Sequence, residues 1–277
     1  MRFGAGLLAL AALATGLTAC GNSGADSIVD KAKNDKKLVV GIKIDQPGWG
    51  LKKPDGSYGG FDVDVARYVA KELGVPESGI TFKEAQSANR EPFIQQGQVD
   101  MVVATYSITD ERKQKISFAG PYLVTGQDIL VRADDTSITG VESLKDKKVC
   151  GAQGSSSPKR LADKFGPEWE SKNLTQQQGY GACLPLLENN QVDAISTDAT
   201  ILAGFAAQFP GKFKLIGQPF SEERYGIGIK KDDKAGRDAI NNAIEKFFND
   251  GSWRAALDAN LGEFGKYFTT PPAVDRY

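Results

Sequence analysis

The sequence predicts an α/β protein of two similar lobes, each a mainly parallel sheet flanked by helices. Three observations predict it. Short apolar runs of strand length alternate with helical stretches, the order that builds parallel sheets covered by helices. The alternation occurs twice along the chain. The length of 277 residues suits about two domains.

Leu38-Val39-Val40-Gly41-Ile42 is a short apolar run ending at polar residues, the mark of a buried strand. Turn signals follow at Gln46-Pro47-Gly48 and Pro54-Asp55-Gly56. Residues 61–73 read as a helix: Asp62 and Asp64 favour its first turn, Val65, Ala66, Val69, Ala70 and Leu73 share one face, and Gly74 stops it. Residues 80–82 are a second strand, 90–96 a short helix and 99–105 a third strand. The pattern then restarts. Residues 128–131 and 148–150 read as strands, with a short helical turn from Ser143 between them. A helix is expected from the Gly154-Ser155-Ser156-Ser157-Pro158 loop to about Phe165, serine-capped with proline in its first turn. Helices over 184–189 and 199–208 flank a strand over 193–196, and 213–216 is another strand. The chain ends with a strand over 225–229, an amphipathic helix over 238–249 broken at Asp250-Gly251, and a short helix over 253–261. Crossings between lobes are placed near Val124-Thr125 and near residues 222–225. The first lobe is then 37–125 plus 223–277 and the second 126–222, joined by two strands.

Composition narrows the function. The chain is 40% hydrophobic and 25% charged, which argues against disorder. With 34 basic and 35 acidic residues, it lacks the basic excess of a nucleic-acid binder. It contains no histidine, so Ser-His-Asp and Cys-His nucleophiles and His-ligated metals are excluded. Neither a metal nor a cofactor is called for. The three cysteines, Cys20, Cys150 and Cys183, have no CxxC spacing, which argues against a zinc cluster.

The N-terminus reads as an address. Arg2 precedes an uncharged run over 3–17, too short for a membrane span and shaped like a secretory signal. Leu17-Thr18-Ala19-Cys20-Gly21 resembles a bacterial lipobox, in which the cysteine is lipidated and becomes the new N-terminus. Residues 1–19 are then a leader, and 20–36 a lipidated tether. The mature chain would carry a net charge of −2 and sit lipid-anchored on the outer face of the cell membrane. In that oxidising compartment Cys150 and Cys183 are expected to pair, the alternative being two buried free thiols.

Four ordered motifs carry a family resemblance. They are Gly60-Phe61-Asp62-Val63-Asp64; the run from Asp100 through Thr105-Tyr106-Ser107-Ile108-Thr109-Asp110-Glu111-Arg112 to Pro121-Tyr122; Gln153-Gly154-Ser155-Ser156 with Asp193-Ala194-Ile195-Ser196-Thr197-Asp198; and Tyr225-Gly226-Ile227-Gly228-Ile229 with Asn249-Asp250-Gly251-Ser252-Trp253. Together they resemble the amino-acid-binding proteins of ABC importers, and most of all the glutamate-binding lipoproteins of Gram-positive, high-GC bacteria. The resemblance implies a type II periplasmic-binding fold. Its two lobes would close on one free amino acid and deliver it to a membrane permease, the protein acting as a monomer.

A buried amino acid needs partners for both its charges. Arg112 suits the α-carboxylate through a bidentate fork. Ser156 stands at a helix N-terminus, which favours an anion. The resemblance adds Ser107 to the carboxylate, and its family match has Ser156 donate through the backbone. Asp198, after a strand, would pair with the α-ammonium, with Thr105 accepting from it by resemblance; a plain helix cap is the alternative for Asp198. Thr105 and Ser107 alternate along a strand end and so would point the same way. Arg90 and Lys43 are the surplus cations, and the resemblance gives such positions the distal carboxylate of an acidic ligand; the alternative for each is a solvated surface charge. Trp49 is either a wall for the ligand's aliphatic part or packing. Two other functions stay open: an amino-acid-sensing lipoprotein, for glutamate, aspartate or glutamine, and a small lyase on the same fold. The lyase needs a proton-transfer residue, and no unassigned one sits at a motif.

Overall fold

The computed structural model describes residues 27–277. The leader, Cys20 and the Gly/Ser-rich segment after it lie outside the described residues.

Two five-stranded sheets organise the chain. In the first, the order is Ile80–Glu84, Leu38–Ile42, Met101–Val102, Glu223–Ile229, Ser117–Thr125. In the second it is Leu174–Gln177, Val149–Ala152, Ala194–Asp198, Gln127–Arg132, Phe213–Leu215. Apolar side chains fill both faces of each sheet. Val40, Met101 and Ile227 pack under helices Phe61–Glu72 and Lys234–Asn249. Val102, Ala104 and Phe118 pack on the other side with Ile94. A small three-stranded sheet, Asp45–Gln46, Gly50–Lys52 and Tyr58–Gly59, grows from the turn-rich stretch of the first lobe.

The expected two-lobed α/β fold is present, its sheets mainly parallel with one reversed strand in each. Four of the five strands in each sheet run the same way, which gives two parallel and two antiparallel pairings per sheet. The reason is the connection. Strands reached through β-α-β crossovers all end at the cleft between the lobes. Glu223–Ile229 and Gln127–Arg132 instead start there, because they carry the chain across, and so run the opposite way. Only Gly126 separates the last residue of Ser117–Thr125 from the first of Gln127–Arg132. Thr125 in turn pairs with Glu223, so the two crossings lie side by side.

Other differences are local. Part of the expected tether, Ile28–Asp35, is a helix. Ser27 caps it by accepting the N–H of Val29, Ile28 and Ala32 are buried, and Asp233 accepts both Ser27 Oγ (2.7 Å) and Ile28 N–H (2.9 Å). The expected strand over 99–105 is paired only at Met101–Val102. Thr105 turns the chain with φ of +43°, and its N–H goes to Asp62 Oδ2 at 2.7 Å instead of a neighbouring strand. Thr105 and Ser107 therefore do not alternate along one strand. The strand Ser117–Thr125 is masked in the sequence by Gly120-Pro121, which reads as a turn; it lies at the sheet edge, where proline is tolerated. Helix Pro167–Asn173 and the half-exposed edge strand Leu174–Gln177 carry no apolar pattern to announce them.

Cys150 and Cys183 are bonded, with Cα atoms 5.8 Å apart. The bridge ties the strand Val149–Ala152 to the 3-10 turn Tyr180–Cys183.

Candidate functional site

Carboxyl ends of the parallel strands of both lobes face one cleft, the usual ligand position in open α/β sheets. Lys43 directly follows Leu38–Ile42. Thr105 closes the turn after Met101–Val102. Asp198 is the last residue of Ala194–Asp198. Ser156 is the first residue of helix Ser156–Phe165, just beyond Val149–Ala152. Arg112 stands in helix Asp110–Lys115, whose cap Thr109 accepts the Arg112 N–H at 3.2 Å.

Three cations converge on the first-lobe side. Arg112 donates to Ser107 O (2.8 Å) and pairs through Nε with Glu91 (3.3 Å). Arg90 donates to Ala104 O (3.1 Å) and Ser87 O (3.3 Å). Both guanidinium groups lie on the ring of Tyr106, Arg90 at 4.0 Å and Arg112 at 5.0 Å from its centroid. Lys43 is bonded to Ser87 Oγ at 2.8 Å. Arg90 and Lys43 are 2% and 4% exposed, so neither is a surface charge. Burial pushes the Lys43 ammonium down to about 7, with the Arg90 charge acting in the same direction. Burial, reinforced by Arg112, lowers Arg90 to about 10. Positive charge is thus packed more densely than its neighbours neutralise it, the setting for an anionic guest.

The second lobe presents the opposite sign. Asp198 is 4% exposed and sits at the cap position of helix Ala199–Gln208, yet its side chain caps nothing. Its Oδ2 accepts the Tyr225 hydroxyl at 2.6 Å, while its Oδ1 is buried without a partner. Burial, then the charge of Glu223, pushes its carboxyl up to about 7. Beside it, Ser155 Oγ accepts from Tyr180 (2.8 Å), and Ser157 and Thr197 share a contact of 3.3 Å. The first N–H groups of helix Ser156–Phe165 have no intrahelical acceptor and favour negative charge.

The lobes touch across the cleft. Trp49 Nε1 donates to Thr200 O (2.9 Å), Gly181 N to Asp45 Oδ2 (3.0 Å), and Arg112 Nη2 to Gly154 O (3.3 Å). Two glycines permit this approach. A Cβ on Gly154, whose φ is +75°, would sit 2.5 Å from the Ala88 Cα, and one on Gly179 would sit 2.4 Å from Asp45 Oδ2. A groove of about 1050 Å³ leads outward from Arg112, Gly154, Ser155 and Ser156.

The structure therefore gathers Arg112, Ser107, Thr105, Arg90 and Lys43 on one side, and Asp198 and Ser156 on the other. Thr105 Oγ1 donates to Gln46 Oε1 at 3.0 Å, which leaves its lone pairs able to accept. Trp49 is fully buried, edge-on to Phe61 (5.6 Å) and Tyr225 (5.8 Å), and belongs to the first-lobe core. Residues that the sequence did not single out also line the junction: Ser87 beneath Lys43, Tyr106 beneath the two arginines, and Tyr225 and Thr200 around Asp198. Tyr106 and Tyr225 lie inside recognised motifs, but nothing in those motifs separates a site aromatic from a core one.

The sequence pattern of the bacterial extracellular solute-binding proteins, family 3, matches residues 38–263. The chain belongs to that family. Among proteins of known role, the glutamate-binding protein GluB of Corynebacterium glutamicum is 43% identical over 273 residues, covering 95% of this chain and 91% of that one. The glutamine-binding protein GlnH of a Bacillus subtilis ABC transporter is 36% identical, covering 86% and 89%. Among solved structures, an ancestral arginine-binding protein bound to arginine superposes with a TM-score of 0.76 at 32% identity, over 82% of this chain and 99% of that one. As a family 3 member this is a solute-binding protein of an extracellular family. Among the described residues, no helix is long and apolar enough to cross a membrane.

Proposed function

We propose that this protein is a non-catalytic receptor that captures free L-glutamate between its lobes and hands it to the permease of an ABC importer. The observation that carries the reading is the charge layout: three crowded cations face a buried carboxylate with a free oxygen. Arg112, Ser107 and the N-terminus of helix Ser156–Phe165 take the α-carboxylate. Asp198 Oδ1 and Thr105 take the α-ammonium. Arg90 and Lys43 take the distal carboxylate, both already hydrogen-bonded to Ser87. The names of GluB and GlnH support a glutamate or glutamine ligand, and the surplus cations favour glutamate. In this reading the protein is a monomer held to the outer membrane face by lipid on Cys20, and Cys20→Ser releases it from the membrane fraction. The decisive experiment is calorimetry of the purified protein against glutamate, glutamine, aspartate and asparagine. Stoichiometric binding with glutamate tightest supports the reading. Binding of none of the four overturns it, and chemical turnover of any of them overturns the non-catalytic role.

A further inference from the structure

We propose that Tyr225 is a positioning residue for ligand recognition, holding Asp198 from the opposite lobe so that one carboxylate oxygen stays free for the ligand's ammonium. Trp49 braces the same turn. The inference rests on the reading of Asp198 as the ammonium's partner and adds what makes it one.

Tyr225 comes from Glu223–Ile229, the strand that returns the chain to the first lobe. Asp198 and Thr200 belong to the second lobe, at the start of helix Ala199–Gln208. The Tyr225 hydroxyl donates to Asp198 Oδ2 at 2.6 Å, so the Thr200 hydroxyl, 2.8 Å away, donates to it in turn. Trp49 Nε1 binds the carbonyl of the same Thr200. All four side chains are buried, with Tyr225 and Thr200 at 0% exposure. Two aromatic residues of one lobe thus clasp a three-residue turn of the other. The consequence is chemical as well as mechanical. A carboxylate has two oxygens, and one is committed to Tyr225 by a charge-assisted bond. The other, Oδ1, is left buried and unpartnered, which is costly unless a guest donates to it. Tyr225 also helps keep the group ionised, because hydrogen bonding to a carboxylate favours its charged form. It does so against burial and the Glu223 charge, in company with Arg160 and Arg112; Tyr180 is the remaining titratable neighbour.

The test compares wild type, Tyr225→Phe and Trp49→Phe. Phenylalanine at 225 keeps the ring against Trp49 and Tyr122 and removes only the hydroxyl. Glutamate affinity is measured by calorimetry across pH 5 to 9. Asp198 is titrated in the ligand-free protein by carboxyl ¹³C NMR, assigned through Asp198→Asn. Tyr225→Phe is expected to weaken binding roughly tenfold to a hundredfold, the scale of a lost charge-assisted bond. It should also move the acid limb of binding, and the Asp198 titration, to higher pH. Trp49→Phe should weaken binding less and leave both where they are. Near-native affinity and an unmoved titration in Tyr225→Phe overturn the proposal. So does an equal shift in Trp49→Phe, which would mark the effect as general loosening. A wild type that binds no amino acid removes the functional reading, while the titration still decides whether Tyr225 governs the carboxylate.

Discussion

Lys43 and Ser87 share a buried hydrogen bond of 2.8 Å, an ammonium resting on a neutral hydroxyl. A hydroxyl orients the ammonium without cancelling its charge. Lys43 is therefore a fixed, incompletely compensated cation at the mouth of a strand, next to Arg90.

The first prediction concerns selectivity. Glutamate and glutamine have nearly the same shape, so discrimination must come from carboxylate against amide. Two donors aimed at the distal group leave an amide N–H₂ facing N–H, which acts against glutamine. Arg90→Gln and Lys43→Met should each lower glutamate affinity by roughly tenfold to a hundredfold, and glutamine affinity far less. Equal losses for both ligands, read by calorimetry, would show that these cations are not the selectivity filter.

The second is a bell-shaped pH dependence of glutamate affinity. Asp198, raised to about 7, must be ionised to meet the ammonium, so binding weakens as pH falls below neutral. Lys43, lowered to about 7, must be protonated to meet the distal carboxylate, so binding also weakens as pH rises above neutral. The charges facing Lys43 are Arg90, Arg112, Asp45, Glu84 and Asp62. In Lys43→Met the alkaline limb should disappear while the acid limb remains. A flat profile from pH 5 to 9 in the wild type would contradict both assignments.

The third separates binding from folding. Arg112→Ala and Asp198→Ala should each abolish detectable glutamate binding, since removing one partner of a buried charge pair costs about 3–5 kcal/mol. Asp198→Ala should nonetheless match or exceed wild type in ligand-free melting temperature at pH 8. The sign follows from the raised pKa. The unfolded carboxyl ionises near its ordinary value and the folded one near 7, so stability falls as pH climbs between them, and alanine removes that cost. A large drop in melting temperature would mark Asp198 as structural.

The fourth concerns the Cys150–Cys183 bridge, which spans 33 residues. Closing a loop of that length restricts the unfolded chain by about 3–4 kcal/mol in the chain-entropy account. The double Cys→Ser variant should lose stability of that order in urea unfolding, with a larger denaturant slope because the uncrosslinked unfolded chain exposes more surface. Unaltered stability would mean that the unfolded chain gains little freedom from the missing bond.

Much of this architecture is legible without coordinates because its signals are periodic. The helical face from Val65 to Ala70 and the apolar run from Leu38 to Ile42 each report burial directly. Sheet direction is not periodic: nothing local to Glu223–Ile229 says that it enters from the cleft, so the mixed sheets emerge only from the connections. The same distinction divides the site. Arg112 and Asp198 stand out as charges inside motifs. Whether a cation is buried depends on what other segments pack against it: Ser87 and Tyr106 lie against Lys43 and Arg90, and nothing local to either cation announces that. Trp49 shows the reverse case. Its tripeptide Gly48-Trp49-Gly50 reads only as a loop, open to either a ligand wall or packing, whereas contact with Phe61 and Tyr225 makes it core.

The helix Ile28–Asp35 decides how force enters the molecule. Ser27 and Ile28 are both fastened to Asp233, and Lys31 is fastened to Asp100 at 2.7 Å. All of these anchors belong to the first lobe. Any pull arriving from upstream of Ser27 is therefore borne by that lobe and bypasses the paired crossings at Thr125 and Glu223. The second lobe joins this framework through those crossings and the contacts across the cleft, so it lies off the path of a load applied at Ser27.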